Sequence, residues 1–197
     1  MFFLVITCTL VLAGFFALSS ASIGLITREG ENIMQNIVLK QLLMGGGLGL
    51  LLFYIFYKIH YSIWKKYALP ILIFSIFLTL LVFAPKIGFS YGGASRWLDL
   101  GFISIQPAEI LKFGFVVYLA SWLASQKSNV SSFQFGFLPF LIMIVVLSSI
   151  LVMQPDMGTL GVIIITSGLL FFIGGGKPAQ ISLLFVLAVA LVGVMAY

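Results

Sequence analysis

The sequence predicts an all-α polytopic membrane protein, a compact bundle of apolar helices joined by short polar connectors. Two proportions set the class. Hydrophobic residues make up 62% of the 197 and charged residues only 8%, whereas soluble domains carry about a quarter charged residues. The third observation is spacing. A span needs about 20 apolar residues, and seven segments qualify, at 2–26, 37–57, 67–85, 107–124, 136–153, 158–173 and 180–197. Nothing between them is long enough for a soluble domain or linker, so 1–197 reads as a single membrane domain.

The first run starts at Met1 with no basic region before it and is longer than the apolar core of a signal peptide, so it reads as a true span. Cys8, the single cysteine, lies in this run; it rules out a disulfide within one chain and reads as a small buried hydrophobe. Ala13, Ala17 and Ala21 in the first span, and Gly45, Gly46, Gly47 and Gly49 in the second, form small-residue stripes that let helix backbones approach closely. The connector 27–36, with Arg28, Glu29 and Glu31, is nearly neutral, and Lys40 can snorkel outward.

Connector 58–67 is the most basic, with Lys58, Lys65 and Lys66 beside His60 and Trp64, so the positive-inside rule places it in the cytoplasm. Alternation then puts the N-terminus in the cytoplasm and connectors 27–36, 86–106 and 154–157 outside. The turns near Lys127 and Lys177 fall inside. The net charge of +5 is scattered without a basic run, which suits membrane topology and no nucleic acid. His60 reads as an interface residue. No metal-site spacing, Walker loop or nucleophile elbow occurs, and the inward turn Gly174-Gly175-Gly176-Lys177-Pro178 lacks the strand-loop-helix setting of a phosphate loop. The last run reaches Tyr197 without a polar flank, which is the pattern of a truncated chain.

The polar residues concentrate between Tyr91 and Phe113, where Arg96, Asp99, Glu109 and Lys112 all fall. The aromatic and glycine content of 86–106 suits a folded loop at headgroup depth. Pro107 fits the first turn of the next helix, Gln106 can cap it, and Gln106, Glu109 and Lys112 follow at i, i+3 and i+6 along one face. Ionisable groups in a span are costly, so Glu109 and Lys112 either pair to staple neighbouring helices or face a substrate. Arg96 is a planar fork for phosphate or carboxylate; a salt bridge to Asp99 or a lipid headgroup would occupy it equally well. Asp156, after Pro155, can cap the following helix. It also emerges on the same side as Arg96, which opens the reading of a shared outward-facing cleft.

Gly93-Ala94-Ser95-Arg96-Trp97-Leu98-Asp99-Leu100-Gly101, followed by Gln106-Pro107-Ala108-Glu109 and Lys112, resembles a signature of the SEDS family (shape, elongation, division and sporulation). Gln154-Pro155-Asp156-Met157-Gly158-Thr159 resembles its second signature, and Ser20-Ala21-Ser22 and Lys40-Gln41-Leu42 also match. The agreement runs along essentially the whole chain, and its wording is more similar to division-type than to elongation-type members. Met44 and Met157 replace more usual residues, and Ser104 stands where some division-type members carry a basic one.

The resemblance implies a bacterial inner-membrane peptidoglycan glycosyltransferase of about ten spans, seven of them here. Such enzymes polymerise lipid II, an undecaprenyl-pyrophosphate-linked disaccharide-peptide, beside a class B penicillin-binding protein transpeptidase. The family's catalytic aspartate lies in an outward loop after the seventh span, so no residue of this chain is assigned that role, and the piece by itself could be inert. Arg96 and Lys112 become candidates for the diphosphate, with Gln106, Glu109 and Asp156 orienting them or lining the cleft. A divalent cation could bridge the diphosphate, although no oxygen-ligand clustering marks a metal site. A lipid II flippase and a non-catalytic division scaffold are the competing readings.

Overall fold

A computed structural model of the chain describes residues 2–29, 41–84, 88–91, 94–99, 104–126 and 129–195. It divides into two compact units, Met1–His60 and Tyr61–Tyr197.

In the first unit, α1 spans Phe2–Glu29, three residues beyond the expected apolar run. Gln41–Gly47 form one widened turn of π-helix that leads into α2, Leu48–Lys58. Glu31 and Lys40 lie outside the described residues. Among the described residues a Cβ added at Gly47 or Gly49 would meet nothing within 4 Å, so the expected close backbone approach is not made at these two. Cys8 is exposed rather than buried. A thiol is weakly polar, and facing lipid costs it little.

In the second unit, α3 spans Tyr61–Leu80 and tightens into a 3₁₀ turn at Leu81–Phe83. It begins six residues before the expected span, so Trp64, Lys65 and Lys66 belong to the helix and not to a connector. None of these residues breaks a helix. The helices α4 (Pro107–Gln126), α5 (Leu138–Met153), α6 (Met157–Ile173) and α7 (Pro178–Met195) follow. A second π turn, Phe133–Phe137, leads into α5, with the Ser132 hydroxyl accepting the Phe135 amide.

Helix α3 packs along α4, while α6 touches α4, α5 and α7 and is the centre of the unit. The core joins Leu111, Phe115 and Leu119 of α4 to Phe140 and Leu151 of α5 and Leu160, Ile163 and Phe171 of α6. Phe140 stacks on Phe171 with ring centroids 4.4 Å apart.

Both ends of α6 are closed by local chemistry. At its C-terminus the Gly176 amide donates to the Phe171 carbonyl at 2.8 Å and the Gly175 amide to Phe172 at 3.0 Å. That is a Schellman motif, and Gly175, at φ 103°, holds the left-handed position it requires. Pro178 then occupies the first turn of α7, and the Gln180 side chain accepts the Lys177 amide at 3.0 Å. The other end of the Gln180 amide donates to the Ser131 carbonyl at 3.2 Å.

The segment expected as a loop is a three-stranded antiparallel sheet, which corrects the all-α expectation. Its strands β1 (Gly88–Tyr91), β2 (Ala94–Asp99) and β3 (Ser104–Ile105) lie in that order. Phe89 pairs with Trp97 and Leu98 with Ile105. The Gly92-Gly93 pair between β1 and β2 is a hairpin signal in the sequence. On the sheet, β2 lies against the 3₁₀ turn and α4, with Leu98 buried.

The protein is therefore mainly helical and strongly apolar. Among the described residues three helices are long and apolar enough to cross a membrane, Tyr61–Phe83, Pro107–Gln126 and Phe133–Met153. Four shorter apolar helical stretches, Val5–Leu18, Gly45–Lys58, Met157–Ile173 and Pro178–Leu191, accompany them.

Helices α3 and α4 come close at Gly114, where an added Cβ would fall 2.7 Å from the Ser75 hydroxyl oxygen and 3.3 Å from the Ile71 carbonyl oxygen. Gly114→Leu should force the two helices apart and destabilise the unit by about 1–3 kcal/mol, read as a lowered midpoint of thermal unfolding in detergent. An unchanged midpoint would show that the two backbones are not held together here.

Candidate functional site

The site forms where α5 ends and α6 begins. Met153 closes α5, and the three-residue turn Gln154-Pro155-Asp156 reverses the chain. Asp156 is the N-cap of α6 and is buried, at 4% exposure. One carboxylate oxygen accepts the Thr159 amide at 3.2 Å, the bond the capping expectation called for. The other accepts the Thr159 hydroxyl at 2.8 Å and the Gln106 side-chain amide at 3.2 Å. The anion also lies at the positive end of the α6 macrodipole.

Gln106 stands immediately before α4, and its carbonyl accepts the Glu109 amide at 3.1 Å, so the helix starts where Pro107 predicted. Its side chain, expected to cap α4, reaches across to Asp156 instead and ties the N-terminus of α4 to that of α6.

Arg96 comes from β2. Its Nε donates to the Gln154 carbonyl at 3.5 Å, and its Nη2 donates to the Pro155 carbonyl. These carbonyls close the C-terminus of α5, the end that favours a cation. Thus Arg96 holds the end of α5 while Asp156 holds the start of α6. The salt bridge to Asp99 weighed as an alternative falls on a side chain outside the described residues.

Gln154, which carried no assigned role in the sequence, is the most deeply buried polar side chain of the turn, at 1% exposure. Its amide donates to the Thr79 carbonyl at 2.7 Å, near the point where α3 tightens and its carbonyls lose α-helical partners. The one available signal was a glutamine adjoining Pro-Asp in an otherwise apolar setting.

Glu109 and Lys112 form the expected i, i+3 ion pair at 2.8 Å. The Glu109 side chain is 58% exposed, while that of Lys112, at 26%, is largely covered. Gln106, Asp156 and Arg96 are thus brought together through the 154–156 turn, and Glu109 and Lys112 stand one and two turns along α4 from Gln106. Among the described residues no group of three or more His, Cys, Asp or Glu is placed to hold a metal ion.

An apolar helical protein with a polar, charge-bearing turn where helices from distant parts of the chain meet defines a polytopic membrane protein with an embedded polar site. The chain belongs to the SEDS family, since the FtsW, RodA and SpoVE family model, described as "Cell cycle protein", matches residues 1–197 in full. A probable peptidoglycan glycosyltransferase FtsW from Geobacter sulfurreducens is 39% identical over 127 residues, covering 63% of this chain and 33% of the relative. Stage V sporulation protein E of Bacillus subtilis is 30% identical over 141 residues, covering 72% and 38%. The chain spans about a third of the length of the curated relatives it matches. The crystal structure of the Thermus thermophilus rod shape determining protein RodA shares the fold, with a TM-score of 0.68 at 23% identity over 90% of this chain and 58% of that one. A chain of a peptidoglycan synthase complex matches equally, at 24% identity, covering 90% and 52%.

Asp156→Ala should leave the Gln106 amide and the Thr159 hydroxyl and amide without their acceptor. Each buried group left unmade costs about 1–3 kcal/mol, so thermal unfolding should shift well below that of Asp156→Asn, which keeps one acceptor oxygen. Equal stability of the two variants would show that the carboxylate does not organise the turn.

Proposed function

We propose that this chain is the front portion, seven spans of about ten, of a bacterial inner-membrane peptidoglycan glycosyltransferase that polymerises lipid II during septal wall synthesis. Family membership supports the reading, and so does the printed identity of the FtsW relatives as probable peptidoglycan glycosyltransferases. The observation that carries it is the Glu109–Lys112 ion pair on α4, the helix that starts at the Arg96–Asp156 turn, in a chain with 8% charged residues. Exposed ionisable groups on an apolar helix mark a substrate path by default.

Transfer of a sugar from a lipid diphosphate needs positive charge to stabilise the leaving diphosphate. Lys112, held by Glu109, supplies an ammonium with donors to spare. Arg96 spends Nε and Nη2 on the turn and keeps its other N–H groups for a phosphate oxygen. Asp156 and Gln106 act one layer back by fixing the turn that Arg96 rests on. The base that activates the acceptor hydroxyl is the family's loop aspartate and is not assigned to any residue here. A divalent cation would arrive on the substrate diphosphate. The N-terminus lies in the cytoplasm, with 86–106 and 154–157 on the outer face, where a class B penicillin-binding protein would receive the growing strand. The peptidoglycan synthase complex among the structural matches supports that partner class.

Lys112→Ala and Arg96→Ala, each removing a charge-assisted bond of about 1.5–3 kcal/mol, should lower glycan polymerisation roughly tenfold or more with membrane insertion intact. Normal synthesis by both variants would sink the assignment. Supplying lipid II already on the outer face separates enzyme from flippase, because only the enzyme makes polymer there.

A further inference from the structure

The N-terminal end of α3 carries a basic and aromatic surface that the 154–156 site does not use. Lys65 and Lys66 are both exposed, and no acidic residue stands in the first turn of the helix. Neither lysine has a carboxylate partner among the described residues. They lie in the second turn of the helix, near its N-terminal end. Tyr61 and Tyr67 are exposed beside them, and the Lys66 ammonium lies 5.4 Å from the Tyr67 ring centroid. This is the residue mix of a headgroup-level belt.

Below it runs an apolar stripe in register with the charge. Lys66, Leu69, Ile73, Phe77 and Leu80 follow at i, i+3, i+7, i+11 and i+14, one face of the helix. The four apolar members are between 46% and 58% exposed. From Leu69 to Leu80 the rise is about 17 Å at about 1.5 Å per residue, close to half of a hydrocarbon core of about 30 Å. One acyl chain of one leaflet has that length.

We infer that this face binds an anionic phospholipid, with the headgroup phosphate between Lys65 and Lys66 and one acyl chain along Leu69–Leu80. The phosphate takes charge-assisted bonds from two ammonium groups. A zwitterionic headgroup carries its own cation and competes poorly for the same place. The inference does not rest on glycosyl transfer and can be tested on the chain alone.

The test uses the protein with Trp64 as its only tryptophan (Trp97→Phe, Trp122→Phe), reconstituted at about 0.15 M salt. Trp64 sits one residue before the lysine pair, so its fluorescence reports a brominated lipid chain nearby. Brominated phosphatidylglycerol should be favoured over brominated phosphatidylcholine by roughly fivefold or more, the worth of one lysine near a membrane surface. Lys65→Gln/Lys66→Gln should bring the two lipids to parity, and Lys65→Arg/Lys66→Arg should keep the preference. Equal quenching in the parent protein, a preference that survives the glutamine pair, or one that is lost in the arginine pair would each overturn the inference.

Discussion

A chain that reverses direction inside a packed apolar bundle must satisfy every buried backbone group that it takes out of its helices, because an apolar interior offers no partner. The turn at 154–156 meets that constraint with side chains from elsewhere in the fold. Arg96, from the sheet, takes the carbonyls at the end of α5. Asp156 takes the first amides of α6, and the Gln106 amide binds the same carboxylate from the start of α4. Gln154 repays the debt in the other direction, donating to a carbonyl of α3. Four segments thus converge on three residues.

That convergence separates two kinds of polar residue which look alike in the sequence. Asp156, Gln154 and Gln180 are buried, at 4%, 1% and 7% exposure, and each bonds backbone that a helix end would otherwise leave open. Their chemistry is consumed by the fold. Glu109 and Lys112 are the opposite case. They satisfy each other, with the Glu109 side chain 58% exposed, and sit on an apolar helix where charge is costly.

The helix positions were legible wherever a breaker marks the apolar run. Pro107, Asp156 and Pro178 each stand at or just before a helix start, and Gly174–Gly176 close α6. The start of α3 was not legible, because Tyr61 to Lys66 contain no breaker and the boundary is set by Ile59 turning extended. Of the sheet, Gly92-Gly93 offered a hairpin signal, but β3 is two residues long, too short for an alternation to register. Of the site, the Glu109–Lys112 pair and the Asp156 cap follow from local spacing. The partners of Gln106, Arg96 and Gln154 lie 50 to 75 residues away along the chain, and no periodicity in a single sequence reports such contacts.

The double duty of Arg96 follows from the shape of its side chain. A guanidinium presents five donors in a fixed plane, whereas an ammonium offers three on a flexible stem. With Nε and Nη2 turned to the 154–155 carbonyls, the plane is anchored and its remaining edge has one orientation. A lysine at position 96 could answer the α5 carbonyls or a phosphate, but its point charge could not hold both directions at once. The same bonds that close a helix end therefore pre-orient the donors left over. On the proposed reading, that orientation spares the entropy of ordering a long side chain when the diphosphate binds.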